Sequence, residues 1–198
     1  MFNPGQLKDK IKILSISQNE NDFTWDISTT IWAKVEQTNK RNIFSNQGYG
    51  AKLVNLVIRK RDLTLHNAIR WNQKHLFITD IIEKDRMYYE VSAALIEPIT
   101  CIILRNNEPT LDELNRPVYD ETLNAITLPA YMIEKYVKHT EEYPMSTVES
   151  IYILITPKVI ELINGELVAI KGTDYEVLVS HTIDEYKNEY EIRARKES

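Results

Sequence analysis

Apolar and polar residues alternate with period two through much of this chain. The alternation is clearest in KLVNLVIRKR, HLFITDI, YEVSA, YEVLVSH and YEIRAR, which begin at residues 52, 75, 89, 175 and 190. These runs are rich in Val, Ile, Tyr and Thr, and such alternation places one face of a β-strand on a core. Turn residues separate the runs at 72–74, 164–165 and 171–174. The sequence therefore predicts an all-β protein.

Helical periodicity is weak throughout the chain. The best helical candidate is the segment 33–46, AKVEQTNKRNIFSN, which ends at Asn46 before the glycines of NQGYGAK. The sequence therefore predicts a long loop or a short helix here, inserted in the first half of the chain.

The two halves of the chain repeat a pattern of strand, turn, strand, charged turn and strand. Adding 101 to residue numbers 68–93 gives 169–194 without a gap, and six positions are then identical, including Tyr89 with Tyr190 and Glu90 with Glu191. Unrelated β-meanders share alternation but need not share the spacing of both turns. The match therefore indicates an internal duplication.

A polar stretch lies between the two copies. Residues 104–124 hold two prolines, many acids and amides, and few bulky apolar side chains. We predict two small β-barrel or sandwich domains in tandem, at 1–103 and 113–198, with a linker at 104–112.

Composition and charge narrow the class of protein. The chain is 43% hydrophobic with a formal net charge of −5. This charge argues against a protein whose main task is to bind the phosphate backbone tightly. It is compatible with a protein that DNA slides past. The opening residues lack the apolar core of a signal peptide, so we expect a protein made in the cytoplasm.

The sequence lacks the usual fingerprints of catalytic and metal-binding sites. It has no glycine-rich phosphate loop, no nucleophile elbow and no paired histidines at metal spacing. The histidines His66, His75, His139 and His181 lie on separate strands or loops, beside exposed or half-exposed strand positions. The single cysteine, Cys101 in ITCIIL, is predicted to be a buried hydrophobic residue. We therefore expect no enzyme activity, no metal and no cofactor.

The segment TIDEYKNEYE, 182–191, is the most acidic cluster. Its counterpart in the first copy carries Lys84 and Arg86 among the acids. Calcium sites need several oxygen ligands in a fixed loop. Because the equivalent positions of the two copies carry charges of either sign, the segment is better interpreted as a solvated hairpin turn than as a calcium site.

Several motifs of the first half occur in an order and spacing that resemble a known family. They are PGQLKDKIKIL at 4–14, WAKV at 32–35, LVIRKRDL at 56–63, and the hairpins of NAIRWNQKHLFITDIIEKDRMYYEVSA at 67–93. This half resembles the phage head-tail joining proteins, also called head-tail adaptor, head closure or stopper proteins. The second half follows the same order, but AYMIEKY at 130–136 stands where the strand with the Trp-Ala pair is expected.

The resemblance implies a small barrel that assembles into a ring in the neck of a tailed-phage virion. Such a ring prolongs the DNA channel under the portal or adaptor protein, helps to retain packaged double-stranded DNA, and offers a docking surface to tail proteins. It also implies that the loop 37–52 faces the channel or a neighbouring subunit, with these residues: Lys40, Arg41, Phe44, Gly48, Tyr49, Gly50 and Lys52. Of the three tryptophans, Trp25, Trp32 and Trp71, the family pattern places Trp32 in the core.

Three questions stay open at this point. A ring of six chains would present twelve barrels, whereas a ring of twelve would stack the two barrels along its axis. A tail-completion or tail-proximal ring protein is a second possibility. A small-molecule-binding or hydrolytic β-barrel is the alternative from another class, and it predicts a pocket with convergent polar groups.

Overall fold

A computed structural model describes residues 4–41, 52–106, 110–111, 117–118, 123–135, 150–181 and 185–195. A short 3₁₀ turn, Pro4–Gln6, precedes the strands. The first six strands are β1 (Asp9–Asn19), β2 (Asp22–Arg41), β3 (Lys52–Arg59), β4 (Ala68–Trp71), β5 (Lys74–Lys84) and β6 (Tyr88–Leu95). The others are β7 (Ile99–Asn106), β8 (Thr110–Leu111), β9 (Pro117–Val118), β10 (Leu123–Lys135), β11 (Ile151–Pro157), β12 (Leu167–Ile170), β13 (Thr173–His181) and β14 (Lys187–Ala194). The prediction of an all-β protein is confirmed.

The first six strands close on themselves by hydrogen bonding. They follow the order β1-β4-β5-β6-β3-β2, and β2 pairs again with β1. All six of these pairings are antiparallel. We call this closed set the first barrel.

Strands β7 and β10–β14 close in the same way, in the order β7-β12-β13-β14-β11-β10 with β10 paired to β7. We call this set the second barrel. If β7 takes the place of β1 and β10–β14 take the places of β2–β6, the two orders are identical. Strands β8 and β9 form a separate two-stranded ribbon between β7 and β10.

The pairing registers also agree between the barrels. Ile11 lies opposite both Trp71 and Ile31, and in the second barrel Cys101 lies opposite both Ile170 and Leu128. A β-bulge interrupts the β5–β6 pairing after Ile78 and the β13–β14 pairing after Val177. The repetition seen in the sequence is therefore a repetition of one strand topology.

The shift of 101 residues that the sequence predicts between the two copies is wrong by two residues. Both β4–β5 and β12–β13 are joined by two-residue turns with positive φ, at Asn72 and Gln73 and at Lys171 and Gly172. These turns and the bulges match at a shift of 99, not 101. A shift of two residues leaves every side chain on its own face, so the alternation of polarity could not detect the error.

Each barrel has a buried apolar core. Ile11, Leu56, Ile69 and Val91 belong to the first, and Cys101, Leu154, Val168 and Tyr190 take the corresponding places in the second. The loops after β3 and β11 each contribute one further buried leucine, Leu63 and Leu162, which also correspond at a shift of 99. Cys101 is fully buried in the second core, as expected, and burial raises the pKa of its thiol to about 12.

Two boundaries differ from the sequence prediction. Residues 99–103 were assigned to the first domain, but β7 pairs with β10 and β12 of the second barrel, and the predicted linker 104–112 begins inside this strand. The predicted helix at 33–46 is wrong for residues 33–41, which continue β2. That each barrel is a domain able to fold alone stays a prediction.

Candidate functional surfaces

The predicted channel or interface loop falls at the tip of the β2–β3 hairpin. Gln37 to Arg41 belong to β2, and Arg41 pairs with Lys52 of β3, so the connection is shorter than the predicted loop. The side chain of Lys52 is exposed. Lys40 lies on β2, while Phe44, Gly48, Tyr49 and Gly50 lie outside the described residues. The site predicted at this loop therefore stays a prediction.

Residues 187–191 of the acidic segment 182–191 belong to β14. His181 of β13 lies 3.6 Å from a carboxylate oxygen of Glu191, and Glu185 is exposed. Among the described residues, no group of three or more His, Cys, Asp or Glu side chains is arranged to hold a metal ion. Asp184 lies outside the described residues.

Trp32 is exposed, contrary to the family pattern. Its neighbours on β2, Ile31 and Ala33, both point into the first core, and alternation along the strand turns Trp32 outward with 57% of its surface accessible. It borders an open groove of about 520 Å³ that Pro4, Leu7, Arg59 and Arg61 also line.

The two barrels meet at an apolar junction. Phe77 and Ala94 on the outer face of the first barrel form a buried cluster with Tyr131 and Ile155 on the outer face of the second. The Phe77 and Tyr131 rings meet edge to face, 4.8 Å between centroids. Residues that would be exposed on isolated barrels are thus buried here.

Polar contacts also link the two barrels. Lys187 of the second barrel lies 4.0 Å above the Phe77 ring and donates to the Ile78 carbonyl oxygen of the first. The backbone N–H of Thr127 donates to the carbonyl oxygen of Asn21 at 2.9 Å. Several chain segments therefore tie one barrel to the other.

One histidine is buried in the junction, contrary to the expectation that the histidines are exposed or half-exposed. His75 is 2% accessible, and its Nε2 atom lies 2.6 Å from the Tyr131 hydroxyl. Burial, and secondarily the nearby charge of Arg70, lower the pKa of His75 to about 4. Burial also raises the pKa of Tyr131, so both groups are neutral near pH 7. A buried, neutral His75 that is hydrogen-bonded to Tyr131 fits a structural role, and no pattern in the sequence indicates Tyr131 as its partner.

The cavity at the junction is too small for a substrate. It has a volume of about 10 Å³ between Trp25, His66, Phe77 and Tyr186, which is room for one water at most. Among the described residues, the buried indole N–H of Trp25 has no hydrogen-bond acceptor. The junction therefore fits a structural contact better than a binding pocket.

An apolar face lies on the outside of the second barrel. Ile102 and Leu104 of β7 point away from the core and are exposed, with Leu167 of β12 beside them. Ala169 lies directly opposite Ile102. Contiguous exposed apolar side chains of this kind commonly mark surfaces that bind other proteins. We call Ile102, Leu104, Leu167 and Ala169 the apolar face.

Comparison with known proteins gives no match: no family model, no curated protein and no solved structure resembles this chain at a significant level. Among the described residues, no helix is long and apolar enough to cross a membrane.

Proposed function

We propose that this chain is a structural protein of a tailed-phage neck, forming a ring between the portal or adaptor and the tail. The observation that carries the proposal is the architecture of the first barrel. The motifs of the resemblance fall on β1, on β2, on β3 and on the β4–β6 hairpins, and these strands close one small antiparallel barrel.

The second barrel supports an assembly role. It repeats the topology of the first and offers the apolar face to solvent. A ring needs a heterologous contact that closes by rotation, and an exposed apolar surface on one barrel is suited to one side of such a contact. The ring would hold six or twelve chains and would be part of the virion, assembled in the bacterial cytoplasm.

The junction supports the same role. Because Phe77, Tyr131 and Ile155 are buried together, the two barrels are held in a fixed relation by side chains of both. A connector that keeps packaged DNA from leaking must transmit force between the head and the tail without bending. An apolar, aromatic contact is well suited to that requirement.

Binding to purified phage particles tests the proposal. The protein is incubated separately with DNA-filled heads that lack a neck and with isolated tails, and co-sedimentation is measured. Binding to heads is expected, with six or twelve chains per head by mass spectrometry of the released ring. Binding to tails alone would indicate a tail-completion protein, and binding to neither would refute the proposal.

A pair of variants sharpens this test. Leu104→Glu places a charge on the apolar face, and we expect it to reduce assembly on heads. Ile82→Glu changes an exposed isoleucine of the first barrel and is the matched control. Equal loss in both variants would show that the apolar face has no special part in assembly.

A further inference from the structure

Cations surround Trp32 on the outside of the first barrel. Lys10 lies directly opposite Trp32 across β1 and β2, and Lys12 lies directly opposite Arg70 across β1 and β4. Directly opposite residues of an antiparallel pair point to the same side of the sheet. Arg59 and Arg61 line the groove beside Trp32. We call these six residues, Lys10, Lys12, Trp32, Arg59, Arg61 and Arg70, the basic face.

The positive charge of the basic face is not neutralised by described neighbours. The ion pairs within the described part of the chain use other cations, such as Lys34 with Glu36, Lys60 with Glu83 and Lys84 with Glu90. None of the five cations of the basic face forms an ion pair there. Lys10, Lys12 and Arg59 are exposed to solvent, while Arg61 and Arg70 are half-buried.

Charge is also divided unequally between the two halves. Residues 1–98 hold 14 Lys and Arg against 11 Asp and Glu, while residues 99–198 hold 10 against 18. The net charge of −5 thus combines a positive first half with a strongly negative second half. An anionic ligand would be attracted to the first barrel and repelled by the second.

The barrel fold does not require these cations. The matching registers place Ile102 where the first barrel has Lys12, and Ala169 where it has Arg70. Pro129 takes the place of Trp32. The same strand topology therefore forms with apolar residues at these positions, and the basic face is a property of the first barrel alone.

We propose that the basic face binds the phosphate backbone of a nucleic acid strand, with Trp32 stacked on a base. Lysine and arginine side chains meet phosphate oxygens, and an exposed indole accepts any base because every base has a π-face. An acidic peptide would use the cations but would leave the Trp32 ring without a comparable partner. This inference does not depend on the neck function, and a failure of either leaves the other intact.

Fluorescence anisotropy of a labelled, mixed-sequence single-stranded DNA tests the proposal on the full chain. Binding is expected at about 50 mM salt and should weaken steeply by about 200 mM. In the double variant Lys10→Gln and Lys12→Gln, affinity should fall, and the slope of log affinity against log salt should decrease by roughly 1 to 2. The double variant Lys171→Gln and Arg195→Gln makes the same change of charge on the second barrel and should bind normally.

Two further arms test the part of Trp32. Trp32→Ala should weaken binding about tenfold, and Trp32→Phe should recover much of the loss because it keeps an aromatic face. No binding at low salt, or equal weakening by the two double variants, would overturn the proposal. So would competition by poly-glutamate as effective as that by unlabelled DNA, since the face would then recognise acidic protein.

Discussion

The Nε2 atom of His75 in the first barrel lies 2.6 Å from the hydroxyl oxygen of Tyr131 in the second, and both side chains are buried. Fifty-six residues separate the two along the chain. The pair is a hydrogen bond within the apolar junction, where solvent cannot replace a lost partner. The stability of the junction should therefore depend on this pair and on the protonation of His75.

Removing the Tyr131 hydroxyl should destabilise the protein. Tyr131→Phe keeps the ring against Phe77 but leaves the buried imidazole without its partner, at a cost of about 1–3 kcal/mol in the free energy of unfolding. Chemical denaturation measures this quantity. Tyr152→Phe, on a half-buried tyrosine of the second barrel, is the control and should cost less. Equal costs would show that the His75–Tyr131 bond contributes little.

Acid should weaken the protein through His75. Burial lowers the pKa of this imidazole in the folded state to about 4, while the unfolded chain titrates near 6.5. As pH falls below 6.5 the unfolded state takes up a proton that the folded state does not, so stability is lost between pH 6.5 and 4, by roughly 3 kcal/mol at most. Denaturation at a series of pH values should show a shallower loss in His75→Gln. An unchanged pH profile in that variant would rule out His75 as the source.

The junction is asymmetric in a way that bears on assembly. In the first barrel, Lys34 and Val57 occupy the positions of Tyr131 and Ile155. In the second, Glu176 and Arg193 occupy the positions of Phe77 and Ala94, and they form an ion pair. Each barrel thus carries one of the two apolar surfaces that meet. In the proposed ring, contacts between chains would therefore use other surfaces, such as the apolar face.

Strand content could be predicted from the sequence because alternation reports burial directly. The strand conformation of residues 33–41 could not be predicted in this way, because Ala33, Lys34 and Glu36 favour helices in isolation. In the barrel, Ala33 and Val35 turn toward the core while Lys34 and Glu36 point outward as an ion pair. Pairing on both sides of β2 overrides the local preference.

The candidate surfaces were harder to predict than the strands. The basic face combines side chains from β1, β2 and β4 with Arg59 and Arg61, and their proximity follows only from the strand order. His75 and Tyr131 likewise come from different barrels. The turn residues indicate the repeat better than the strands do, because aligning Asn72 and Gln73 with Lys171 and Gly172 gives the correct shift of 99.

The ion pair between Arg105 and Glu166 should stabilise the second barrel. The Arg105 Nε atom donates to Glu166 at 2.6 Å, and the guanidinium also donates to the Glu161 carbonyl oxygen. Glu166 in turn accepts from the backbone N–H of Ile163. Because Arg105 is partly exposed, Arg105→Gln should cost about 1–2 kcal/mol, less than a fully buried pair.

Thermal unfolding of Arg105→Gln measures this effect against Lys60→Gln, which breaks the exposed pair with Glu83. The Lys60 variant should unfold at nearly the normal temperature, because exposed pairs contribute little. If both variants shift the melting temperature equally, the network around Glu166 has no special role.

The equivalent turn positions Gln73 and Gly172 provide a reciprocal test of the repeat. Gln73 has φ of 64° and Gly172 has φ of 81°, both in the left-handed region that favours glycine. No atom lies within 4 Å of a Cβ placed on Gly172, so the cost of a side chain there is in the backbone alone. Gln73→Gly should stabilise the protein by about 0.5–1 kcal/mol, and Gly172→Gln should destabilise it by about 1 kcal/mol.

Chemical denaturation of both variants measures the sign of the change in the free energy of unfolding. Gln37→Gly is the control. Gln37 lies in β2 without a positive φ, so glycine there should destabilise the protein by loosening the strand. Opposite signs at Gln73 and Gln37 would locate the effect in the turn conformation that both barrels share. A destabilising Gln73→Gly would contradict the left-handed conformation of this turn.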